Sequence, residues 1–462
     1  MTRIYLFTAI IALLFLQTGM HAQPVDYLDQ YIAIGLEQNL QIKQQKFEVE
    51  KSHQDLRNVR GNMLPTIDFN ARYSKANGGR AFQMPLGDLM NPVYNTLNGL
   101  IGEGTFATIE NQEFNFNRTT DVDTRISLMQ PVYDSRLLVQ NKIQYELTAM
   151  VGEDLSISKR DVIQDIKATY YTYLKTLKLK ELLKETRELV EENLRVSEVL
   201  YTNDKVTEDA VWRSKTEVRK VDFQIAEAEK QYQLAKRYFN LLLNRDMEDS
   251  IFVSQLKEKF LNQDFSSSMN YIHREELEKL QVAQNVARYQ EKLASSNNLP
   301  NFYFALDAGF QGSSYEFTSE NDYFIASAVM SWNLFSGFQN SAQKQKAKIE
   351  QRRLDTQYKY VQNQFRLQVE EARLEFVKSS SNYQTTIAAE MEATSNFTIV
   401  NRKYEEGLAN LVELIDARTF MTNAAAEHII AKYEVLISIA AYERATAGYV
   451  FNSNQQICTP TF

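Results

Sequence analysis

The sequence predicts a mainly α-helical chain with a membrane β-barrel part, built as two copies of one strand-pair and long-helix repeat. An internal duplication, helices of coiled-coil length and four short alternating stretches carry that prediction. The duplication is visible in matched anchors. Leu64-Pro65 heads an alternating stretch, Met129-Gln130-Pro131-Val132-Tyr133-Asp134-Ser135 follows, and helical sequence then runs to Tyr201. Leu299-Pro300, then Met330-Ser331-Trp332-Asn333-Leu334-Phe335-Ser336-Gly337, then helix to Tyr404 repeat the order. Pro131 to Asn333 is a shift of 202 and Tyr201 to Tyr404 a shift of 203, an agreement that chance similarity rarely gives.

The elements follow in chain order. Met1-Thr2-Arg3, the apolar run Ile4 to Leu16 and Met20-His21-Ala22 have the three parts of an export signal, expected over residues 1–22. The run is shorter than the roughly 20 residues a spanning helix needs, and no later segment reaches that length. A first repeat is expected over 23–268. It comprises strands at about 65–74 and 121–132, a helical hairpin over 134–245 and a connecting segment over 246–268. The second repeat is expected over 269–462, with strands at about 300–312 and 322–334, a hairpin over 336–450 and a C-terminal tail. Shorter helices, Asp26 to about Asn62 and Tyr271 to about Ser296, precede the Leu-Pro marks.

The long helices rest on periodicity. Leu155, Val162, Ile166, Tyr170, Tyr173 and Leu177 are spaced as a coiled-coil seam. A helix from Asp134 to Leu200 would be on the order of 100 Å long. Gly (15) and Pro (7) are scarce and cluster between Asn77 and Gly104, which leaves the rest free to form uninterrupted helices.

The strands rest on period two. Ile67, Phe69, Ala71 and Tyr73 alternate with polar residues, as do Val122, Thr124, Ile126 and Leu128. Phe302, Phe304, Leu306, Ala308 and Phe310 form a third apolar face, and Phe324 through Leu334 a fourth. Each stretch has about the length of a tilted transmembrane strand. Alternation alone also fits one face of a soluble sheet. The helices are too long for a compact domain, however, and the polar faces carry Asp68, Arg72, Asp123, Arg125 and Asp307, as a water-filled lumen would. Four strands cannot close a barrel, which takes about eight or more, so several copies must contribute. The long first loop, over 75–120, belongs on the outer side of such a barrel, and its middle reads equally well as a disordered excursion.

These residues resemble the TolC-like outer-membrane efflux protein family. The resemblance lies in the Leu-Pro marks and in the Val132-Tyr133-Asp134 and Leu334-Phe335-Ser336-Gly337 turns. It extends to Tyr404-Glu405-Glu406-Gly407-Leu408, to Leu411-Val412-Glu413-Leu414-Ile415-Asp416-Ala417, and to Leu28, Ile32-Ala33, Gly35-Leu36 and Asn39-Leu40 near the start. It covers nearly the whole mature chain, through the order and duplication of motifs that are individually unspecific. It implies a homotrimer whose twelve strands cross the outer membrane and whose helices continue as a tunnel through the periplasm. The segment 246–268, with Phe260-Leu261, would lie around the tunnel's middle. The implied function is a passive exit duct for a tripartite efflux or type I secretion system. The implied partners are a periplasmic adaptor (membrane fusion protein) and an inner-membrane pump of the RND or ABC type. The turns at about 201–209 and 404–413 would form the periplasmic tip. Acidic rings there would favour cations, and the matching positions are Glu413 and Asp416, with Glu208 and Asp209 near the first turn. Solvent-facing acids on a helix read the same way. Gly407 fits a turn needing positive φ. Asp204 stands where the first repeat should have Gly, a departure that bears on tip geometry.

The sequence holds no nucleotide-binding glycine loop, no GxSxG and no paired histidine spacing, so neither an enzyme nor a cofactor or metal site is expected. Energy for transport would come from a partner. Cys458 is the only cysteine, and a net charge of −8 argues against nucleic acid. The competing expectation is an exported coiled-coil spacer whose strands form a small soluble domain.

Overall fold

A computed structural model describes residues 27–102, 104–116, 118–253, 271–316 and 318–448. The expected signal peptide, Phe260-Leu261, Cys458 and the end of the expected tail lie outside the described residues. In chain order the elements are α1 (Tyr27–Gln38), α2 (Leu40–Gly61), β1 (Thr66–Lys75), β2 (Ala81–Met84), α3 (Leu86–Ile101), β3 (Gln112–Asn115) and β4 (Thr120–Tyr133). Then come α4 (Ser135–Thr202), α5 (Glu208–Leu242), a 3-10 turn (Tyr271–His273), α6 (Glu275–Ser296), β5 (Asn301–Gly312), β6 (Asp322–Ser331), α7 (Gln339–Glu405) and α8 (Leu411–Ala445). The chain forms two compact units. One spans Met1–Ser52, Leu147–Gln284 and Arg352–Phe462 and is mainly helical over its described residues, and the other, His53–Glu146 and Asn285–Gln351, holds the sheet.

The sheet has the order β1-β4-β5-β6, antiparallel throughout. Its register places Ile67, Leu128, Leu306 and Ala326 on one rung and Phe69, Ile126, Ala308 and Phe324 on the next. All four alternating stretches therefore put their apolar residues on a single face. β6 ends at Ser331 rather than near residue 334, and α7 starts at Gln339 rather than 336. Left-handed backbone at Gly337 and Phe338 interrupts the passage between them. Trp332, past the strand end, donates from Nε1 to the Asn298 carbonyl at 3.0 Å.

The 75–120 excursion is structured. β2 and β3 pair beyond the ends of β1 and β4, and α3 sits between them. Asn91 and Asn98, seven residues apart, each exchange two hydrogen bonds with the returning strap, at Ile109 and Phe106. The clustered Gly and Pro mask this helix in the sequence, and the amides that hold it give no periodic signal.

Where β4 becomes α4, Asp134 caps the 68-residue helix by accepting from Arg136 N at 2.9 Å. Its other oxygen accepts from Arg136 Nη2 at 2.7 Å and from Tyr303 Oη at 2.9 Å. The Val132-Tyr133-Asp134 turn is thus a helix cap fastened to β5.

In the helical unit the seam residues Leu155, Val162, Ile166, Tyr170 and Tyr173 are buried, but the core then continues through Leu174, with Leu177 only half-buried. A straight α-helix drifts relative to a strict heptad, which moves the seam by this amount. Tyr31 meets Phe239 edge-on at 5.1 Å beside Ile166 and Leu243. Asn39 breaks the expected single first helix in two. Its Oδ1 caps α2 by accepting from Gln41 N and Ile42 N, while Nδ2 donates to the Leu242 carbonyl at the end of α5.

A charged knot joins α4, α6 and α8. Arg444 donates to Asp161 at 2.7 Å and to Glu276 at 2.6 Å, and Arg274 donates to Glu276 at 2.8 Å. Burial raises the Glu276 pKa, but the two guanidiniums outweigh it and hold the carboxyl at about 2. Asp134 is also held at about 2, chiefly by Arg136 against burial. Both folded values lie below the ordinary 4.5 and 3.8. Their stabilisation is therefore complete above those values and lost as pH falls through about 2. The denaturation midpoint should drop between about pH 4.5 and 2, and less steeply in Glu276→Gln. A pH titration of helical circular dichroism in denaturant measures this.

Candidate functional site at the helix turns

The two hairpin turns are built alike. At the end of α4, Lys205 N donates to the Leu200 carbonyl at 2.9 Å and Asp204 N to Tyr201 at 3.0 Å. At the end of α7, Leu408 N donates to Lys403 at 2.7 Å and Gly407 N to Tyr404 at 2.9 Å. Both are Schellman closures with a left-handed residue at the same place, Asp204 at φ 54 and Gly407 at φ 72. Asp tolerates this conformation, so the Gly-to-Asp departure leaves the turn geometry unchanged.

The following helices begin differently. Asn410 caps α8 by accepting from Glu413 N at 3.0 Å and donates back to Glu413 Oε1 at 2.7 Å. Glu413 is therefore part of a reciprocal cap as well as an exposed acid. Thr207 has the same extended backbone at the start of α5, but its hydroxyl turns to Asp209. With Thr207 and Asn410 aligned, Arg213 falls where Asp416 lies in the other half, so the acids of the two turns are not equivalent positions.

An open cleft of about 950 Å³ separates the turns. Asp209, Gly407, Glu413 and Asp416 line it together with Lys205 and Arg213. Asp204 and Glu208 are exposed outside it. Four of the six expected tip residues are thus brought together, with two cations among them. Arg213 approaches Asp209 at 3.6 Å, which leaves Glu413 and Asp416 as the carboxylates of the second turn.

Below the cleft the structure adds residues that sequence reading passed over. Ser197 on α4 lies 2.7 Å from Tyr404 Oη on α7 and 3.0 Å from Ser214 Oγ on α5. Arg418 on α8 donates to Glu217 on α5 at 2.5 Å, both buried, and Lys220 donates to the same carboxylate at 2.6 Å. Burial raises the Glu217 pKa, but these two cations prevail and lower it. A sequence signal was present. Arg418 falls on the stripe of Leu411 and Leu414, and Glu217 on that of Ala210, Ser214 and Val221. Each interrupts an apolar face at helical spacing.

The described residues thus combine a four-stranded sheet, with one apolar and one charged face, and two helices of nearly 70 residues. Residues 269–448 match the family model described as Outer membrane efflux protein. No curated protein matches the sequence. Among solved structures, the CmeC outer membrane channel of Campylobacter jejuni superposes with a TM-score of 0.74 at 16% identity, over 92% of this chain and 86% of that one. The outer-membrane channel OprN matches with a TM-score of 0.72 at 13% identity, over 92% and 90%. The open-state MtrE channel of Neisseria gonorrhoeae matches at 0.71 and 14% identity, over 91% and 88%. The family match thus lies in the second half of the chain, and the fold of these outer-membrane channels extends over about nine-tenths of its length.

Proposed function

We propose that three copies of this chain form a passive exit duct across the outer membrane, fed by a periplasmic adaptor and an inner-membrane pump in an efflux or type I secretion assembly. The state of the sheet carries the reading. Its apolar face is bare, with Ile67, Phe69 and Phe324 each about two-thirds exposed. β1 and β6 are edge strands without a partner among the described residues. A bare apolar face fits lipid, and open edges fit closure with further copies. Exposed stripes on the helices fit the same assembly: Phe223, Leu234, Tyr238 and Leu241 on α5, and Tyr360, Leu367 and Leu374 on α7. The cleft between the turns is the proposed periplasmic tip, where Glu413 and Asp416 of each copy would line the entrance.

Planar-bilayer recording tests this. The purified protein should require detergent, migrate as a heat-modifiable trimer and conduct in discrete steps. A monodisperse chain without detergent would overturn the duct in favour of a soluble spacer. Glu413→Gln with Asp416→Asn keeps the cap geometry and leaves Lys205 and Arg213 as the dominant charges of the cleft. Cation preference measured from the tip side should fall by about threefold or more. Unchanged preference would assign both acids to solvent-facing positions.

A further inference from the structure

We propose that α3 is an interchain contact: the α3 helices of the three copies pack on one another through an apolar seam and cap the outer mouth of the barrel. This rests on the duct reading. Two stripes run along α3. Asn91, Tyr94 and Asn98 face the strap, where Tyr94 stacks on Phe106 at 5.3 Å and the two amides hold Ile109 and Phe106. The other stripe is Leu86, Met90, Val93, Leu97 and Leu100, spaced four, three, four and three. That is the a/d spacing of a helix that packs against another helix. Leu89 and Ile101 widen it, and Pro92 lies off it. The described residues leave this stripe largely uncovered. Val93 is half exposed, and Leu89, Leu100 and Ile101 are between 65 and 78% exposed.

Position and charge identify the occupant. β2 and β3 prolong β1 and β4, since Ala76 N donates to the Thr119 carbonyl and Phe116 N to that of Arg80, each at 3.0 Å. β1 is an edge strand, so the insert stands on the border along which copies would meet. With ten residues β1 already has the length of a tilted spanning strand, which sets α3 beyond the apolar band of the bilayer. A helix resting on an anionic lipid surface carries Lys or Arg on its polar face, and α3 has neither. Its single charge is Asp88, off the seam. Like helices can therefore approach without charge repulsion along the seam, and a heptad stripe packs against copies of itself in three-stranded assemblies. Three stripes brought together would remove from water an apolar surface that one copy leaves bare. The occupant of the seam is thus α3 of the neighbouring copies, and the cluster would narrow the duct where it opens to the outside.

Val93→Cys tests the contact in a Cys458→Ser background, since Cys458 is the only native cysteine. Oxidation of the purified trimer with copper phenanthroline should convert about two-thirds of the chains to covalent dimers, the most that one cysteine per chain allows around a threefold axis. Asn95→Cys, exposed and on the far side of the helix, should stay uncross-linked. Val93→Asp with Leu100→Asp should leave a heat-modifiable trimer and raise its single-channel conductance by about twofold or more. Trimers in which Val93→Cys cross-links no better than Asn95→Cys would overturn the contact and leave the duct standing, as would aspartates that leave conductance unchanged. Protection of the Val93→Cys thiol from a water-soluble maleimide in liposomes but not in detergent would overturn it in favour of lipid. A parent chain that forms no trimer would overturn the duct, and the cap with it.

Discussion

Arg418→Ala should cost the helical unit about 3 kcal/mol, the lower end of the range for removing one partner of a buried ion pair. The loss comes mainly from what remains. Glu217 would stay buried between α5 and α8 with only Lys220, whose side chain is largely exposed and holds the carboxylate from one side. Taking two charges out of water is expensive, and their mutual attraction offsets that only while both are present. Replacing both residues by Leu should therefore come within about 1 kcal/mol of the parent protein, because an apolar pair of similar volume carries no desolvation penalty. The denaturation midpoint of the detergent-solubilised protein distinguishes the two variants. Tryptic cleavage near Lys205 and Arg213 should rise in the single variant only, since the pair joins the two hairpins close to their turns. Equal midpoints for the single and double variants would mean that solvent reaches Glu217 and that the pair fastens nothing.

The parts legible in the sequence were those whose signal is periodic. The alternation in β1, β4, β5 and β6 gave the apolar face correctly, because side chains on a strand have a fixed period and the register then aligns them. The seam from Leu155 to Tyr173 was legible for the same reason. It became illegible toward the turns, where three of the four buried positions of α4 beyond Leu174 are polar, Thr186, Asn193 and Ser197, with only Val190 apolar. A hydroxyl that bonds within its own helix and to Tyr404 packs as core yet reads as surface. The α3 insert was hidden differently, since its fastening depends on two amides meeting a strap, which no pattern announces. At the turns, residue type misled in the opposite sense. Asp204 looked like a departure, but backbone conformation decides a Schellman closure, and Asp adopts it. Glu413 and Asp416 were readable as exposed acids. The reciprocal cap of Glu413 and the two cations beside them arise only in the folded turns, which bring together residues far apart in the sequence.

Gly309→Val should abolish the proposed trimer, because this glycine lets β4 and β5 approach at the middle of the sheet. A Cβ added there would lie 2.3 Å from the Thr124 carbonyl oxygen and 2.7 Å from both Cα and Cβ of Arg125. Those atoms are backbone or fixed to it, so no rotamer change relieves the overlap. The cost should exceed the roughly 1–3 kcal/mol of ordinary overpacking. The ladder it breaks is also the one that holds the halves of the duplication together, since β4 belongs to the first strand pair and β5 to the second. Without that ladder the chain would present two separate hairpins with four open edges in place of two, and closure with other copies would lose its register. Gly312→Ala is the internal control. It lies on the same strand, its nearest neighbours stand at 3.4 Å, and trimer yield should stay near the parent level. Heat-modifiability on gels reads both variants. A folded Gly309→Val trimer would show that β4 and β5 can separate at this rung, in which case Arg125 does not lie close over Gly309 on the polar face.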